Sequence, residues 1–527
     1  MKKYLRLLFV LIIACTTFTS EAPVKASNNW FVEPGGLGTA CTQANPCDLD
    51  TCVQTIASSN DTIFAKEGTY TATDSTSHYV TYISKSLTII GSCQYGSTGL
   101  VTCDITKKTS ILDGQTARRG IAIQGFSNDG MHVYIAGFTI MRGDAYQMGP
   151  SNCIDTYAGP VNACGGGIYS ENVDQLTLQH IDFWANTAST STDPDHNSLG
   201  GGLYVDNTKN LALLDNLFRH NYAANQGYGY GGAMFISNSG DPGGILLNNN
   251  IVYNNDTGYN RVGQAAGLFS YNNNGLHLLG NEFEYQNAIQ QLLVPGSAIM
   301  IRGSNTLTFS QNSFKNNAGD STIAIIGDMG NISGRIERNK FWGNPTELLF
   351  DIFGNITMDF VNNFIGRLPD IKGSTRILLS LEGSPVFDEQ NINIFHNSFA
   401  EAGYGVKAND YTTVNIRRNI FAYLHNSAIN IPDPAMLSST ILENLFYANN
   451  NDGRLGSTFF RGDPFFTDKD SGDFHLQPGS EAINKVTAGS VFIDIDGEVR
   501  PFGVAPNNVD LGADEFHAKL FLPLILK

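Results

Sequence analysis

With 527 residues the chain has the length of about three ordinary domains, yet only 15% of its residues are charged, against roughly a quarter in ordinary globular proteins. An apolar content of 42% excludes a disordered chain, and a formal net charge of −17 excludes nucleic acid as a partner, because phosphate binding needs clustered Lys and Arg. The acidic balance is compatible with cations, basic surfaces or plain solubility.

Residues 1–26 read as an export signal: Lys2, Lys3 and Arg6 form its positive region and Leu7 to Ala14 its short apolar region. Cleavage after Ala26 leaves Ser27 first and predicts a protein that is secreted or held at the cell surface. The competing reading is LIIAC, which resembles a bacterial lipobox and would put a lipid anchor on Cys15.

Export permits disulfides. The remaining cysteines, at 41, 47, 52, 93, 103, 153 and 164, all fall in the first third of the chain. Nearest neighbours would pair Cys41 with Cys47, Cys93 with Cys103 and Cys153 with Cys164, one of many possible connectivities. Cys52 is left over as a buried thiol. No C-x-x-C knuckle is present, so zinc is not expected. The stretch TCVQTIASS (51–59) predicts a helix with Cys52, Val53, Ile56 and Ala57 on one face.

From LTLQHIDFWAN (176–186) onward one short phrase recurs: alternating apolar residues, an Asn, then x-Phe. Asn216, Asn250, Asn281, Asn312, Asn339, Asn362, Asn397, Asn419 and Asn444 mark its register, at intervals of 22 to 35 residues. Phe183, Phe218, Phe283, Phe314, Phe341, Phe364, Phe399, Phe421 and Phe446 form a second column, with Val252 in place of one Phe. Period-two alternation is the mark of strands with one buried face. No unit carries an amphipathic helix, and the irregular period argues against leucine-rich repeats and propellers.

A right-handed parallel β-helix accommodates both facts, because extra residues bulge out as loops while the strands stay in register. About twelve coils would give a rod of roughly 55–60 Å. In such a rod the Asn column is a ladder of turn residues that tolerate left-handed backbone angles, and the Phe column fills the interior. On this basis Asn312→Ala is expected to cost about 1 kcal/mol and to leave binding unchanged.

A second phrase precedes the first: GGGIYS (165–170), GGGLYV (200–205) and YGGAMFI (230–236) lead to FWAN, FRHN and VYNN. This pairing resembles the GGA(I/L/V)…FxxN repeats of polymorphic outer-membrane proteins and, more broadly, secreted bacterial pectin-lyase-like β-helix proteins. Residues 45–71 are similar to the opening segment of that group. GDPFFTDKDSGDFHLQPGSEAIN (462–484), DIDGEVRP (494–501) and VDLGADEF (509–516) are similar to its closing segment of the choice-of-anchor type. The predicted organisation is therefore a signal peptide at 1–26, a β-helix with its N-terminal cap at 27–460, a closing segment at 461–516 and an apolar tail at 517–527. The tail resembles short sorting tails or is a last strand; it is far short of the ~20 apolar residues of a transmembrane span.

Candidates for chemistry are few. The polygalacturonase phrases NTD, GHG and RIK are absent. DPDHNS gathers Asp193, Asp195 and His196 in an insertion, as a catalytic candidate or an ordinary exposed loop. Arg338 and Lys340 in RIERNKF could supply a lyase base or simply decorate a solvated strand. Asp494, Asp496 and Glu498 in DIDGEV offer oxygen ligands to Ca²⁺, without full calcium-loop spacing. The primary expectation is an exported scaffold without enzymatic activity that presents loops to polysaccharide, cell-envelope components or other partners. The alternative is a lyase or hydrolase of acidic polysaccharide. Converging carboxylates with Arg or Lys on one sheet face would favour the enzyme; a smooth Asn- and Thr-decorated face would favour the scaffold.

Overall fold

The computed structural model describes residues 27–517 except 73, 75, 97–98, 127–129, 147–152, 154–160, 259–262, 289–295, 304–305, 367–375, 387–389 and 503–507. The export signal, Cys15 and the tail lie outside the described residues, apart from His517.

The chain winds into a right-handed parallel β-helix. Each coil lays its strands directly on those of the coil before, so like residues stack. Leu211, for example, pairs with Leu176 below and Ile245 above, and Phe218 with Phe183 and Val252. The inward residues form one continuous core along the rod. Ring stacking repeats through it: Phe183 on Phe218 at 4.3 Å, Phe314 on Phe341 at 4.8 Å, and Phe399 on Phe421 at 4.9 Å. Burying one such ring contributes about 2–3 kcal/mol, and each stacked pair about 1 kcal/mol more.

The Asn ladder exists, with one correction. Each ladder Asn donates its amide to the Oδ1 of the next, from Asn216 through Asn250, Asn281, Asn312 and Asn339. The next member is Asn363, not Asn362; it then leads on to Asn397, Asn419 and Asn444. Ile365 correspondingly takes the interior place between Phe341 and Phe399, while Phe364 faces outward. The doublet Asn362–Asn363 made the register ambiguous by one residue, and one residue reverses the face. The left-handed angles also fall elsewhere than expected: the residue before the ladder Asn adopts them, as in Asp215, Gln311 and Asn362. The Asn itself only bridges.

The Asn of FxxN builds a second ladder, through Asn186, Asn221, Asn255, Gln286, Asn317 and Asn344. The glycine phrase sits against it. Gly165, Gly200 and Gly231 hold left-handed φ of 65°, 61° and 66°. A Cβ on the following Gly166, Gly201 or Gly232 would collide with the carbonyl of Thr187, Tyr222 or Asp256 in turn.

At the N-terminal end the helix begins earlier than expected, because the Asp48 side chain caps it by accepting from the Asp50 N–H. A short turn at Leu49–Thr51 runs into a wide-turn helix at Cys52–Ile56. Cys52 and Val53 are buried, and Ile56 packs on the core. The disulfides are Cys41–Cys47, Cys93–Cys103 and Cys153–Cys164, with Cys52 a buried free thiol.

The closing segment leaves the last coil after Phe459–Arg461 and turns back along the rod's flank. It covers outward-facing Phe364, Ile420 and Leu445 with Phe474, Leu476, Val509 and Leu511. Hydrogen bonds tie it down: Gly512 N–H to Arg418 O (2.8 Å), Asn362 Nδ2 to Ile493 O (2.6 Å) and Arg338 Nε to Ile495 O (3.1 Å). At its centre the fully buried Arg500 donates to the carbonyls of Asp510 and Gly512 and to Glu515 and Asn362. A buried ion pair with so many additional hydrogen bonds fixes a conformation more than it adds net stability. Among the described residues, no helix is long and apolar enough to cross a membrane.

Candidate functional site

Two surfaces of the rod matter for function. One sheet face carries a row in strict register: Thr62, Thr88, Tyr134, Thr177, Ala212, Leu246, His277, Thr308, Arg335, Asp359, Asn393, Asn415 and Thr440. More than half are Thr or Asn. Arg335 and Asp359 are the only charges in the row, and they pair with each other at 3.8 Å. Strand alternation places these residues outward because their neighbours, such as Ile63, Leu178 and Ile336, are core.

The second surface is a cleft of about 600 Å³ formed by the closing segment and its continuation, lined by Thr467, Asp473, His475, Asp496, Glu498, Asp514, Glu515 and His517 among others. His475 is at its centre. Its Nδ1 faces Asp473 and its Nε2 lies 2.7 Å from Asp496 Oδ2, while its ring sits edge-on to Phe364 at 4.9 Å. Burial opposes a charge on this imidazole, but the hydrogen bonds to Asp496 and Asp473 outweigh it and raise its pKa to about 9. The same hydrogen bond holds Asp496 below the usual carboxylate range. Burial pushes Asp514, which accepts the Leu476 N–H at 2.7 Å, up to about 6. From the rod, Lys340 reaches Asp496 at 3.8 Å.

The arrangement offers a protonated imidazole, an ionised carboxylate and a lysine at one mouth, which suits proton transfer or hydrogen bonding to hydroxyl groups. One ligand atom each from His475, Asp496 and Asp514 lies within 4.8 Å of the others. A divalent cation that accepts mixed N and O donors would fit them once the imidazole gave up its proton.

The sequence-derived metal set is distributed differently. Asp494 is fully buried and works as a bracket: Oδ1 accepts from the Asp496 and Glu498 N–H groups, and Oδ2 from Glu515 N–H. Asp496 faces His475, and Glu498 lies 3.3 Å from His517. Asp193 and Asp195 are exposed in a turn in which Asp193 Oδ1 accepts the Asp195 N–H. His196 folds back from them onto Ser189 (3.0 Å) and Tyr146, and burial lowers its pKa. Arg338 holds the closing segment, whereas Lys340 reaches the cleft. His475 and Asp514 were missed in the sequence. They sit in GDFHL and GADEF of the closing segment, and only its fold-back brings them together.

The stacked coils and the flank-laid closing segment define the class: a parallel β-helix with a C-terminal segment docked on its side. No family model matches the chain, and no curated protein matches it. Among solved structures it is similar to the PL6 family alginate lyase AlyGC, with 12% identity and a TM-score of 0.37 over 86% of this chain. The chain spans 55% of AlyGC's length. It is similar to a PL6 alginate lyase in complex with a trisaccharide (12% identity, TM-score 0.39, 86% of this chain and 92% of that one). It is also similar to pectate lyase Pel9A (12% identity, TM-score 0.33, 94% and 98%). Likeness at this level speaks to no individual residue and to no activity.

Proposed function

We propose that the protein is an exported β-helix scaffold, secreted or held at the cell surface, that binds glycan or other envelope partners without transforming them. The observation that carries this reading is the Thr- and Asn-rich row on the open sheet face, whose only charged members, Arg335 and Asp359, pair with each other while Arg335 also binds Glu337 beside the row. Such a face offers mainly hydroxyl and amide hydrogen bonds, and its one imidazole, His277, is separated from the Arg335–Asp359 pair by the coil of Thr308. The export signal at 1–26, the lipobox-like Cys15, the repeat resemblance to polymorphic outer-membrane proteins and the anchor-type closing segment point to the same location. Mass analysis of the exported N-terminus, giving free Ser27 or lipidated Cys15, distinguishes secretion from anchoring.

A second reading, a polysaccharide hydrolase or lyase, is favoured by the cleft at His475, where acid and base groups converge. The carboxylates around it repel an acidic substrate, so this reading suits neutral sugars better than uronates. Incubation of purified protein with neutral and acidic polysaccharides, with and without Ca²⁺, tests both. No release of reducing or unsaturated ends is expected. Release that disappears in His475→Gln would overturn the scaffold reading in favour of the enzyme.

A further inference from the structure

The face that the closing segment covers in the C-terminal half of the rod continues bare towards the N-terminus. In its covered part the outward row is Phe364, Ser398, Ile420 and Leu445, whose apolar members are buried by the chain's own return. In its bare part the neighbouring register row reads Trp184, Arg219, Tyr253, Glu284 and Lys315, one residue per coil, and its next member, Trp342, is already packed against the closing segment. Trp184 and Tyr253 are each 37% exposed, and Tyr285, one residue beyond the row, is 46% exposed. These large rings lie within three coil steps, roughly 14 Å along the axis.

The rings are held rather than loose. Arg219 lies over the Trp184 ring at 4.7 Å and is itself gripped by Asp182 through three hydrogen bonds of 3.0, 3.2 and 2.7 Å. Tyr253 and Tyr285 meet edge to face at 5.7 Å. Charges in the row are matched: Arg219 to Asp182, and Lys315 to Glu284 at 3.7 Å. At its far end the row reaches the coil of Lys340, which stands beside Asp496 at the mouth of the cleft.

We propose that this strip is the binding platform for a neutral polysaccharide lying along the rod axis, with its end directed towards the His475 cleft. This rests on the reading above that the protein binds glycan, and it names the site and the class of sugar. Three features select the partner. Preset aromatic rings give large amphipathic contact at little entropic cost, suited to the C–H faces of pyranose rings. The paired Arg, Asp, Glu and Lys groups between the rings offer hydrogen bonds to hydroxyls but no net charge to attract a polyanion. The exposed rings follow the rod axis coil by coil, with Ile251 (43% exposed) beside Tyr253, a line that suits an extended chain.

The test is affinity electrophoresis of the purified full chain through gels containing hydroxyethyl cellulose, mixed-linkage β-glucan or galactomannan, with alginate and polygalacturonate as acidic comparators. Two triple variants accompany it: Trp184→Ala/Tyr253→Ala/Tyr285→Ala and Trp184→Phe/Tyr253→Phe/Tyr285→Phe. The parent should be retarded by at least one neutral glycan; the alanine triple should bind about tenfold more weakly or worse, and the phenylalanine triple close to the parent. Retardation that survives the alanine triple would overturn the strip while leaving glycan binding in place. Equal loss in both triples would overturn ring stacking. Retention by acidic glycans alone would overturn the neutral partner. A parent that sediments as a dimer and becomes monomeric in the alanine triple would reassign the strip to a second copy of the chain. A parent retained by none of the glycans would overturn both the strip and the reading beneath it.

Discussion

The Asn312 side chain donates to Asn339 Oδ1 at 2.9 Å while its own Oδ1 accepts both the backbone N–H and the amide of Asn281. It also donates to Leu278 O. One fully enclosed amide therefore serves three coils. Replacing it with Ala orphans the Asn281 N–H, at about 1–3 kcal/mol, and removes the side-chain bonds to Leu278 O and Asn339 Oδ1 as well. The expected cost of Asn312→Ala rises accordingly from about 1 to about 3 kcal/mol. Urea denaturation should show it as a lower midpoint, and glycan retardation of the folded variant should be unchanged.

The neighbouring residues Asn362 and Asn363 should behave oppositely. Asn363→Ala breaks the ladder and should cost as much as Asn312→Ala, about 3 kcal/mol. Asn362→Ala removes the bonds to Ile493 O and Arg500, which join rod to closing segment, and places Ala at a left-handed angle (φ 54°) at a cost of about 1 kcal/mol. It should lower the main unfolding transition by less than the ladder variant, about 1–2 kcal/mol, and speed proteolytic cleavage within 462–516. Equal stability losses in the two variants would contradict the register described here.

Above about pH 5 the titrations described at the closing segment share one direction, because the contribution of Asp496, held below the usual carboxylate range, is lost only as pH falls below about 4. The folded pKa of His475 is raised to about 9, so its contribution is full below about pH 6.5 and is lost as pH rises towards 9. Burial raises Asp514 to about 6 and, with the charge of Glu515 adding to it, Asp510 to about 7. For these carboxylates protonation favours the fold, and their contribution fades as pH rises through those values. The segment should therefore resist protease best near pH 5 and worst near pH 9.5. His475→Gln should flatten the part of that change between pH 7 and 9.5.

Cys52 is buried beside the Cys41–Cys47 disulfide, and burial pushes its thiol up to about 12. At pH 8 almost none is thiolate, and access is closed. Iodoacetamide should leave the Cys52 peptide unmodified in native protein and alkylate it in denaturant without reductant. Peptide mass spectrometry reads both states.

The fold was legible because stacking makes a periodic demand: Leu211, Phe218 and Asn216 each occupy a column, and columns show as recurrence. The disulfide pairs were legible for a related reason, since short spacings such as Cys41 to Cys47 match tight local loops. What failed was local. Asn362 and Asn363 satisfy the same pattern, and only the packing of Phe364 against the closing segment shows which one bridges coils. The cleft was half visible. Asp496 and Lys340 stood out by residue type, but their meeting with His475 and Asp514 depends on a chain reversal that leaves no periodic trace. The strip was hidden for a different reason: outward Trp184, Tyr253 and Tyr285 break no pattern of inward residues.

The return of the closing segment also gives the rod two mechanical characters. A simple solenoid frays from its last coil, since each coil is held only by its neighbours. Here bonds from Gly512 to Arg418, from Ile495 to Arg338 and from Ile493 to Asn362 strap a run of four successive coils to a single segment. Under tension applied at its C-terminus, that half should yield as one block in a single large step. The coils before Arg338 should then peel away singly, in a staircase of small ones.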